Sequence, residues 1–186
     1  MWALTWALWA TMWTPPTRRS PMPDARIEVP SDPRDLPGPF RHARAIEVRF
    51  ADTDAMGHVN NALYHTYVET ARTKYLEEIL DEPVRLGVHG EPSFILAESR
   101  MVYRSPAFYG ETLTVETRMT GVGRSSMTAE HRITAPDSQA GRARLVAVCE
   151  SVLVHYDYGQ ATPMPVPDDV AARIEAFEGR SLRASL

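Results

Sequence analysis

One long helical pattern, set among short alternating patterns, constrains the fold of this chain most. Between residues 62 and 80 the apolar and aromatic residues recur at helical spacing. They are Tyr64, Tyr67, Val68, Ala71, Tyr75 and Ile79. At about 1.5 Å per residue, such a helix is roughly 28 Å long, about the length of a small domain. We expect it to end at Asp81-Glu82-Pro83, and Asn60 or Asn61 is a suitable N-cap.

Segments on both sides of this helix alternate between apolar and polar residues, which predicts strands. The predicted strands are about 42–50, 94–104, 112–120, 126–134 and 144–156, and a short C-terminal helix is predicted over 168–178. One long helix against one antiparallel sheet is an α+β arrangement. We therefore predict a long central helix wrapped by a five-stranded antiparallel sheet. The strand 144–156 is the longest and most apolar, so we expect it at the centre.

The N-terminal part of the chain differs in composition from the rest. All four tryptophans lie in residues 1–13, and eight of the fifteen prolines lie in residues 14–39. Proline removes backbone donors and disfavours helix, so residues 1–41 are predicted to be a disordered extension and residues 42–186 the folded domain. Residues 1–21 are best explained by a misplaced translation start ahead of Met22; a loosely docked tail, or an anchor or signal, are the alternatives. The uncharged stretch is shorter than the roughly 20 residues of a membrane span.

Charge and cysteine content exclude some partners and favour one compartment. Twenty basic and twenty-four acidic residues give a net charge of −4, so no basic surface for nucleic acid is expected. The only cysteine, Cys149, cannot form an intrachain disulfide, which favours the reducing cytoplasm. Cys149 lies in an apolar run, which is typical of a core residue and not of a reactive nucleophile.

The densest polar cluster joins the first strand to the long helix. It contains Asp52, Asp54 and the run Gly57-His58-Val59-Asn60-Asn61. Free N–H groups and the dipole at a helix start favour negative charge, so a carboxylate just before one suits acyl transfer. Spacing alone leaves open a purely structural turn. A metal site is not expected, because the zinc spacings H-x₃₋₅-H and H-E-x-x-H are missing and the calcium-loop pattern is incomplete.

A resemblance to a known family narrows these alternatives. Residues 49–64, RFADTDAMGHVNNALY, and residues 67–72, YVETAR, resemble the hotdog-fold acyl-CoA thioesterases of the 4-hydroxybenzoyl-CoA thioesterase family, most of all its long-chain acyl-CoA thioesterase branch. The resemblance covers about residues 44–158, and residues 106–111 resemble the family's turn between its second and third strands. It implies hydrolysis of acyl-CoA thioesters without a cofactor. It also implies a homodimer or homotetramer with active sites between subunits.

By position, the resemblance also implies roles for individual residues. Asp54 matches the catalytic carboxylate, acting as nucleophile or as general base, and the backbone N–H of Asn61 would polarise the thioester carbonyl. The expected substrate-binding residues are Gly57, His58, Val59, Asn60, Tyr64, Arg104 and Arg124. Arg104 and Arg124 are two of five arginines that could bind the phosphates of coenzyme A; the others are Arg100, Arg142 and Arg144.

Several alternatives stay open at the level of the sequence. Asp52 is expected to stabilise the loop and not to react. Tyr64 and Tyr67 could line the acyl pocket, but aromatic residues on the buried face of a helix are more often core residues. Glu69 is the alternative acid on the helix, although its neighbours His65 and Arg72 are typical of a solvated face. A non-catalytic acyl-CoA-binding module and an acyl-carrier-protein thioesterase are the alternative functions. The sequence fixes neither the acyl chain length nor an aromatic or aliphatic preference.

Overall fold

A long helix lying across one antiparallel sheet dominates the computed structural model, which describes residues 38–81, 92–137 and 142–183. The predicted N-terminal extension lies outside the described residues except for 38–41. The helices are α1 (Leu63–Leu80) and α2 (Asp168–Glu178). The strands are β1 (His42–Glu47), β2 (Ser93–Tyr103), β3 (Thr112–Val122), β4 (Ser126–Asp137), β5 (Arg142–Asp157) and β6 (Thr162–Pro163).

The sheet confirms the predicted architecture and corrects four details. Its order is β1-β3-β4-β5-β2, all neighbours are antiparallel, and β6 pairs with β5, which makes six strands instead of five. The central strand is β4, with β5 beside it. The first strand stops at Glu47, and Phe50 instead begins a short 3₁₀ turn and is 75% exposed. Strand β4 continues through Pro136, which lies opposite Ala143 near the end of the hairpin, where a missing donor is tolerated.

Helix α1 packs against the sheet through the stripe that its sequence predicts. Its buried residues include Tyr64, Val68, Ala71, Tyr75 and Ile79. Two apolar clusters of the core lie along the helix, one around the first half of α1 and one around its second half. A third, small cluster among the described residues consists of Leu145 and Val148 with Val102. The helix ends at Asp81, which adopts the left-handed conformation (φ 55°). The expected stop at Glu82-Pro83 lies outside the described residues.

The C-terminal helix α2 covers the second cluster and is fixed by a buried carboxylate. Glu178 is 4% exposed and accepts hydrogen bonds from the Tyr75 hydroxyl (2.6 Å) and from the Met119 N–H (2.7 Å). These contacts join α2, α1 and β3 at the end of the sheet remote from the polar loop. Neither described helix is both long enough and apolar enough to cross a membrane.

Candidate active site

The polar loop between β1 and α1 is built around the buried carboxylate of Asp52. This side chain is 1% exposed and accepts hydrogen bonds from the Arg49 N–H (3.0 Å), the Arg49 guanidinium (2.8 Å) and the Tyr67 hydroxyl (2.8 Å). The hydrogen bonds from Arg49 hold the pKa of Asp52 below its usual range. A fully engaged, ionised carboxylate stabilises the loop and is not available to a substrate, which supports the structural interpretation of Asp52.

Asp54 lies one turn further on, at the tip of a narrow loop. Thr53 and Val59 form an antiparallel bridge, and the Asp54 N–H donates to the His58 carbonyl (3.0 Å). Gly57 closes the loop with φ 82°, a conformation that glycine adopts without strain, and donates its N–H to the Asp54 carbonyl (3.0 Å). The loop therefore holds the backbone of Asp54 in a fixed position while its side chain points away from the core.

The Asp54 carboxylate is partly exposed and keeps one oxygen free of strong hydrogen bonds. Its Oδ1 accepts the Met56 N–H (2.9 Å), and its Oδ2 lies 3.6 Å from the His58 Nδ1. The side chains of Asp54 and His58 are 28% and 35% exposed. The separation of 3.6 Å is too long for a hydrogen bond, so His58 is a charged neighbour of Asp54 only when its imidazole is protonated.

The start of α1 supplies a free backbone donor close to this loop. The Asn60 side chain accepts the Ala62 N–H (3.0 Å), and its carbonyl accepts the Leu63 N–H (2.9 Å). The N-cap of α1 is Ala62, which has no side-chain cap, so the prediction of Asn60 or Asn61 as the N-cap is wrong. The Asn61 carbonyl accepts the Tyr103 hydroxyl (3.0 Å). No acceptor for the Asn61 N–H exists within 38–81, 92–137 and 142–183. An unclaimed N–H at a helix start can stabilise a developing oxyanion.

The turn between β2 and β3 clamps the loop from the other side. The Val59 N–H donates to the Ala107 carbonyl (2.8 Å), and the Ala107 N–H donates to the Tyr64 hydroxyl (3.2 Å). Arg144 closes the turn by pairing with Glu111 (2.7 Å) and donating to the Pro106 carbonyl (3.0 Å). Arg144 therefore has a structural task, and the loop and the turn form one rigid corner.

Two of the residues expected to bind substrate lie in the core instead. Val59 is 1% exposed and Tyr64 is 3% exposed, and both belong to the first apolar cluster. Their side chains support the loop from below, which corrects the expectation that they contact substrate in this protomer. Gly57 and Asn60 are exposed, and His58 is partly exposed, as a binding role requires.

The two predicted phosphate-binding arginines lie at opposite ends of the sheet. Arg104 follows β2 directly, next to Tyr103 and thus at the end that carries Asn61. Arg124 lies in the turn after β3, whereas the Asp54 loop contacts the residues before β3. The length of β3, ten residue steps, separates these two ends of the sheet by about 30 Å. Within one protomer the structure therefore brings Arg104 towards the site and leaves Arg124 away from it.

Glu69, the alternative acid, lies on an exposed part of α1, and so does His65, whose Nδ1 lies 3.2 Å from the Ser99 hydroxyl. Neither residue approaches the Asp54 loop through a hydrogen bond or an ion pair to described residues. Among the described residues no group of three His, Cys, Asp or Glu side chains could hold a metal ion. Cys149 is fully buried, and burial raises the pKa of its thiol.

Exposed aromatic side chains surround the site, and sequence reasoning missed them. Tyr103 is 43% exposed beside Asn61, and Phe50 and Tyr109 pack edge to face at 5.8 Å. Phe108 and Met56 are exposed in the same turn and loop. Alternation along β2 could have marked Tyr103 as facing the helix. Its contact with a residue 42 positions earlier leaves no local signal.

Comparisons with known proteins identify the family to which the chain belongs. Residues 48–174 match the family model described as the thioesterase-like superfamily. The chain is 35% identical to a thioesterase from Thermus thermophilus, whose crystal structure is complexed with coenzyme A and Zn; the match covers 77% of this chain and 98% of that one, with a TM-score of 0.63.

Two curated relatives are more distant. The acyl-CoA thioesterase YbgC of Haemophilus influenzae is 27% identical over 127 residues, which cover 68% of this chain and 89% of that protein. A chloroplastic acyl-acyl carrier protein thioesterase of Arabidopsis thaliana is 30% identical over 95 residues, which cover 50% of this chain but only 48% of that protein. The chain thus spans about half the length of the plant relative.

Fold and site together define the class of hotdog thioesterases: a long helix on an antiparallel sheet, with an acidic loop at the helix start. This chain belongs to the thioesterase-like superfamily. The predictions of the fold and of a thioester hydrolase are thereby confirmed at the level of the family.

Proposed function

We propose that the protein hydrolyses acyl-CoA thioesters to the free acid and coenzyme A. The observation that carries this proposal is a partly exposed Asp54 carboxylate in the same loop as the unclaimed N–H of Asn61, where that loop enters α1. One group can act on water or on the carbonyl carbon, and the other can hold the carbonyl oxygen. The coenzyme A complex of the Thermus relative supports the choice of thiol.

In the general-base route Asp54 takes a proton from a water molecule while the water oxygen bonds to the thioester carbonyl carbon. The Asn61 N–H stabilises the oxyanion that forms. The oxyanion then collapses, the carbon–sulfur bond breaks, and the proton held by Asp54 passes to the departing thiolate. The products are a carboxylic acid and free thiol, and Asp54 is again ionised. No metal or redox group takes part in these steps.

In the nucleophilic route the Asp54 carboxylate itself bonds to the carbonyl carbon and expels the thiolate. Water then adds to the Asp54 carbonyl of the resulting anhydride, the bond to the substrate acyl oxygen breaks, and the acid leaves. The water oxygen stays on Asp54, and the Asp54 carboxyl gives its proton to the thiolate. Repeated turnover in ¹⁸O-labelled water distinguishes the two routes. Label in a proteolytic peptide that contains Asp54 supports the nucleophile, whereas label in the acid product alone supports the general base.

His58 and Arg104 have supporting roles in this proposal. His58 lies 3.6 Å from Asp54 and would orient the carboxylate. Gly57 and Asn60 would let the backbone of the loop approach the substrate closely. Arg104 lies at the same end of the sheet as Asn61 and would bind a phosphate of coenzyme A. Arg104→Gln is then expected to raise KM for acyl-CoA and to leave kcat nearly unchanged.

A homodimer or homotetramer is part of the proposal. Strand β2 is an edge strand of eleven residues, with Leu96 and Tyr103 exposed on it. Long exposed edges are pairing surfaces unless something covers them, and a second copy of β2 would do so. Light scattering on the eluting protein should give at least twice the chain mass. Leu96→Lys should shift that mass towards the monomer, because an edge lysine opposes strand pairing.

A panel of acyl-CoA substrates with a thiol reagent tests the activity. Release of coenzyme A is expected, and the preferred chain length tests the resemblance to the long-chain branch. Hydrolysis of acyl-carrier-protein thioesters is the second candidate, favoured by the plant relative, and the ratio of the two rates decides between them. Tight acyl-CoA binding without turnover would indicate a non-catalytic module. The single buried thiol of Cys149 supports a cytoplasmic location, which cell fractionation tests.

A further inference from the structure

Asn61 lies between two peptide units that are held by different parts of the fold. The Asn60 carbonyl, in the peptide that carries the Asn61 N–H, accepts the Leu63 N–H (2.9 Å). The Asn61 carbonyl, in the next peptide, accepts the Tyr103 hydroxyl (3.0 Å). The orientation of Asn61 and of its N–H therefore depends on two contacts, one from the first turn of α1 and one from β2.

The contact from β2 replaces one that the helix does not supply. In a regular α-helix the Asn61 carbonyl would accept the N–H of His65, four residues later. The His65 N–H instead donates to the Ala62 carbonyl (3.3 Å), and no backbone N–H of the described residues donates to the Asn61 carbonyl. The Ala62 N–H donates to the Asn60 side chain (3.0 Å), which is a contact within the loop itself. The Tyr103 hydroxyl thus joins the exposed Asn61 to the sheet.

Tyr103 is itself held firmly. It is the last residue of β2 and pairs with Ala147 on β5. Its ring packs edge to face against the buried ring of Tyr64 at 5.5 Å, and the Tyr64 hydroxyl accepts the Ala107 N–H (3.2 Å). Burial raises the pKa of Tyr103, so its hydroxyl stays protonated at neutral pH and remains a donor. A donor at the end of a paired strand can hold an exposed peptide in one orientation.

We propose that Tyr103 is a positioning residue for the oxyanion donor: its hydroxyl orients Asn61 so that the unclaimed N–H points towards the thioester carbonyl oxygen. An oxyanion hole is effective because its donors are aligned before the reaction begins. Tyr103 acts through Asn61 and does not touch the reacting atoms. The inference rests on the proposed thioesterase function and adds a residue from β2 to the machinery of that site.

Tyr103→Phe removes the hydroxyl and keeps the ring that packs on Tyr64. A single hydrogen bond is typically worth about a 3- to 10-fold change in rate, so kcat for acyl-CoA should fall by that factor while KM stays at the wild-type value. Tyr158→Phe is the matched control and should keep the wild-type kcat. Tyr158 is 52% exposed, against 43% for Tyr103, and packs edge to face on Tyr156 at 5.5 Å, but it follows the end of β5 that pairs with the start of β2. Wild-type kcat in Tyr103→Phe, or failure of this variant to fold, would overturn the proposal.

The same substitution in the Asn61→Pro variant distinguishes positioning from other roles. Asn61→Pro lacks the N–H that Tyr103 is proposed to orient, but it keeps the carbonyl that accepts the hydroxyl. If Tyr103 acts through this N–H, Tyr103→Phe should cause no further loss of kcat in that variant. An equal fold-loss of kcat with and without Asn61→Pro would mean that Tyr103 contacts the substrate or supports the fold in general, and the proposal would be wrong.

Nitrogen-15 relaxation of the Asn61 amide in the full chain tests the orientation without turnover. The wild-type order parameter should be about 0.85, as for rigid backbone, and should fall towards about 0.6 in Tyr103→Phe, while the amides in the middle of α1 stay rigid. An unchanged order parameter for Asn61 would overturn the proposal. Wild-type protein that releases no coenzyme A would refute the proposed function instead, and the relaxation data would still decide whether Tyr103 fixes Asn61.

Discussion

The backbone N–H of Asn61 gives the sharpest prediction, because a mutation can remove it without removing a folding contact. Asn61→Pro deletes the N–H, which has no acceptor among the described residues, and keeps the carbonyl that accepts the Tyr103 hydroxyl. Asn61→Ala deletes the exposed side chain and keeps the N–H. The two variants therefore separate the backbone donor from the side chain at one position.

The size of the effect follows from the environment of that peptide unit. The Asn60 carbonyl in the same peptide accepts the Leu63 N–H at 2.9 Å, which polarises the amide and strengthens the Asn61 N–H as a donor. Loss of one oxyanion donor lowers kcat about 100- to 1000-fold, or roughly 3–4 kcal/mol. We expect that loss for Asn61→Pro and a change within about threefold for Asn61→Ala, which leaves the donor in place.

Initial rates of thiol release from a saturating acyl-CoA measure this difference. Unfolding midpoints of both variants show whether the loop survives, since proline also restricts Asn60 before it. If Asn61→Pro folds normally and keeps the wild-type kcat, the oxyanion assignment is wrong. If Asn61→Ala loses as much activity as Asn61→Pro, the side chain carries the effect and the backbone does not.

Three further predictions concern buried polar groups that stabilise the fold. Tyr67→Phe removes a hydrogen bond to the ionised Asp52 and should cost about 1.5–3 kcal/mol in urea unfolding; a smaller loss would mean that Arg49 alone holds the carboxylate. Glu178→Leu leaves the buried Tyr75 hydroxyl and Met119 N–H without an acceptor and should lower the free energy of unfolding by about 1–3 kcal/mol for each group, whereas Glu178→Gln should cost much less. Burial lowers the pKa of His131 to about 3, so below about pH 6.5 this histidine takes up a proton when the protein unfolds. The free energy of unfolding should therefore fall by up to about 1.4 kcal/mol per pH unit as the pH drops below about 6.5. The same slope in His131→Phe would refute this.

Elements with a strong local pattern were predictable from the sequence. The helix predicted over 62–80 spans Leu63–Leu80, and the one predicted over 168–178 has the same bounds in the structure. Both patterns rest on the 3.6-residue period, which needs no knowledge of the rest of the chain. The strand ends were less predictable, because pairing with a neighbour extends β4 through Pro136 and adds the two-residue β6. Both extensions depend on pairing with β5, which the local sequence of β4 or of β6 does not reveal.

The candidate site shows the same division. The acidic loop and Asn61 were recognisable because all their residues are contiguous in the chain. The partners that complete the loop are not: Tyr67 reaches Asp52 from the helix, and Tyr103 reaches Asn61 from β2. The burial of Val59 and the remote position of Arg124 depend equally on the sheet register. These relations follow from tertiary packing, which residue spacing does not encode.

Replacement of Asp54 separates a catalytic role of this carboxylate from a role in binding or folding. Asp54→Asn keeps the size of the side chain and an oxygen that can accept the Met56 N–H, but removes the charge needed to attack the carbonyl or to take a proton from water. Asp52→Asn is the matched control in the same loop, because it should lower the unfolding temperature, whereas Asp54→Asn should leave it unchanged. Purified Asp54→Asn is expected to bind acyl-CoA, to unfold at the wild-type temperature and to release almost no coenzyme A. Wild-type turnover in Asp54→Asn would contradict a catalytic role of Asp54.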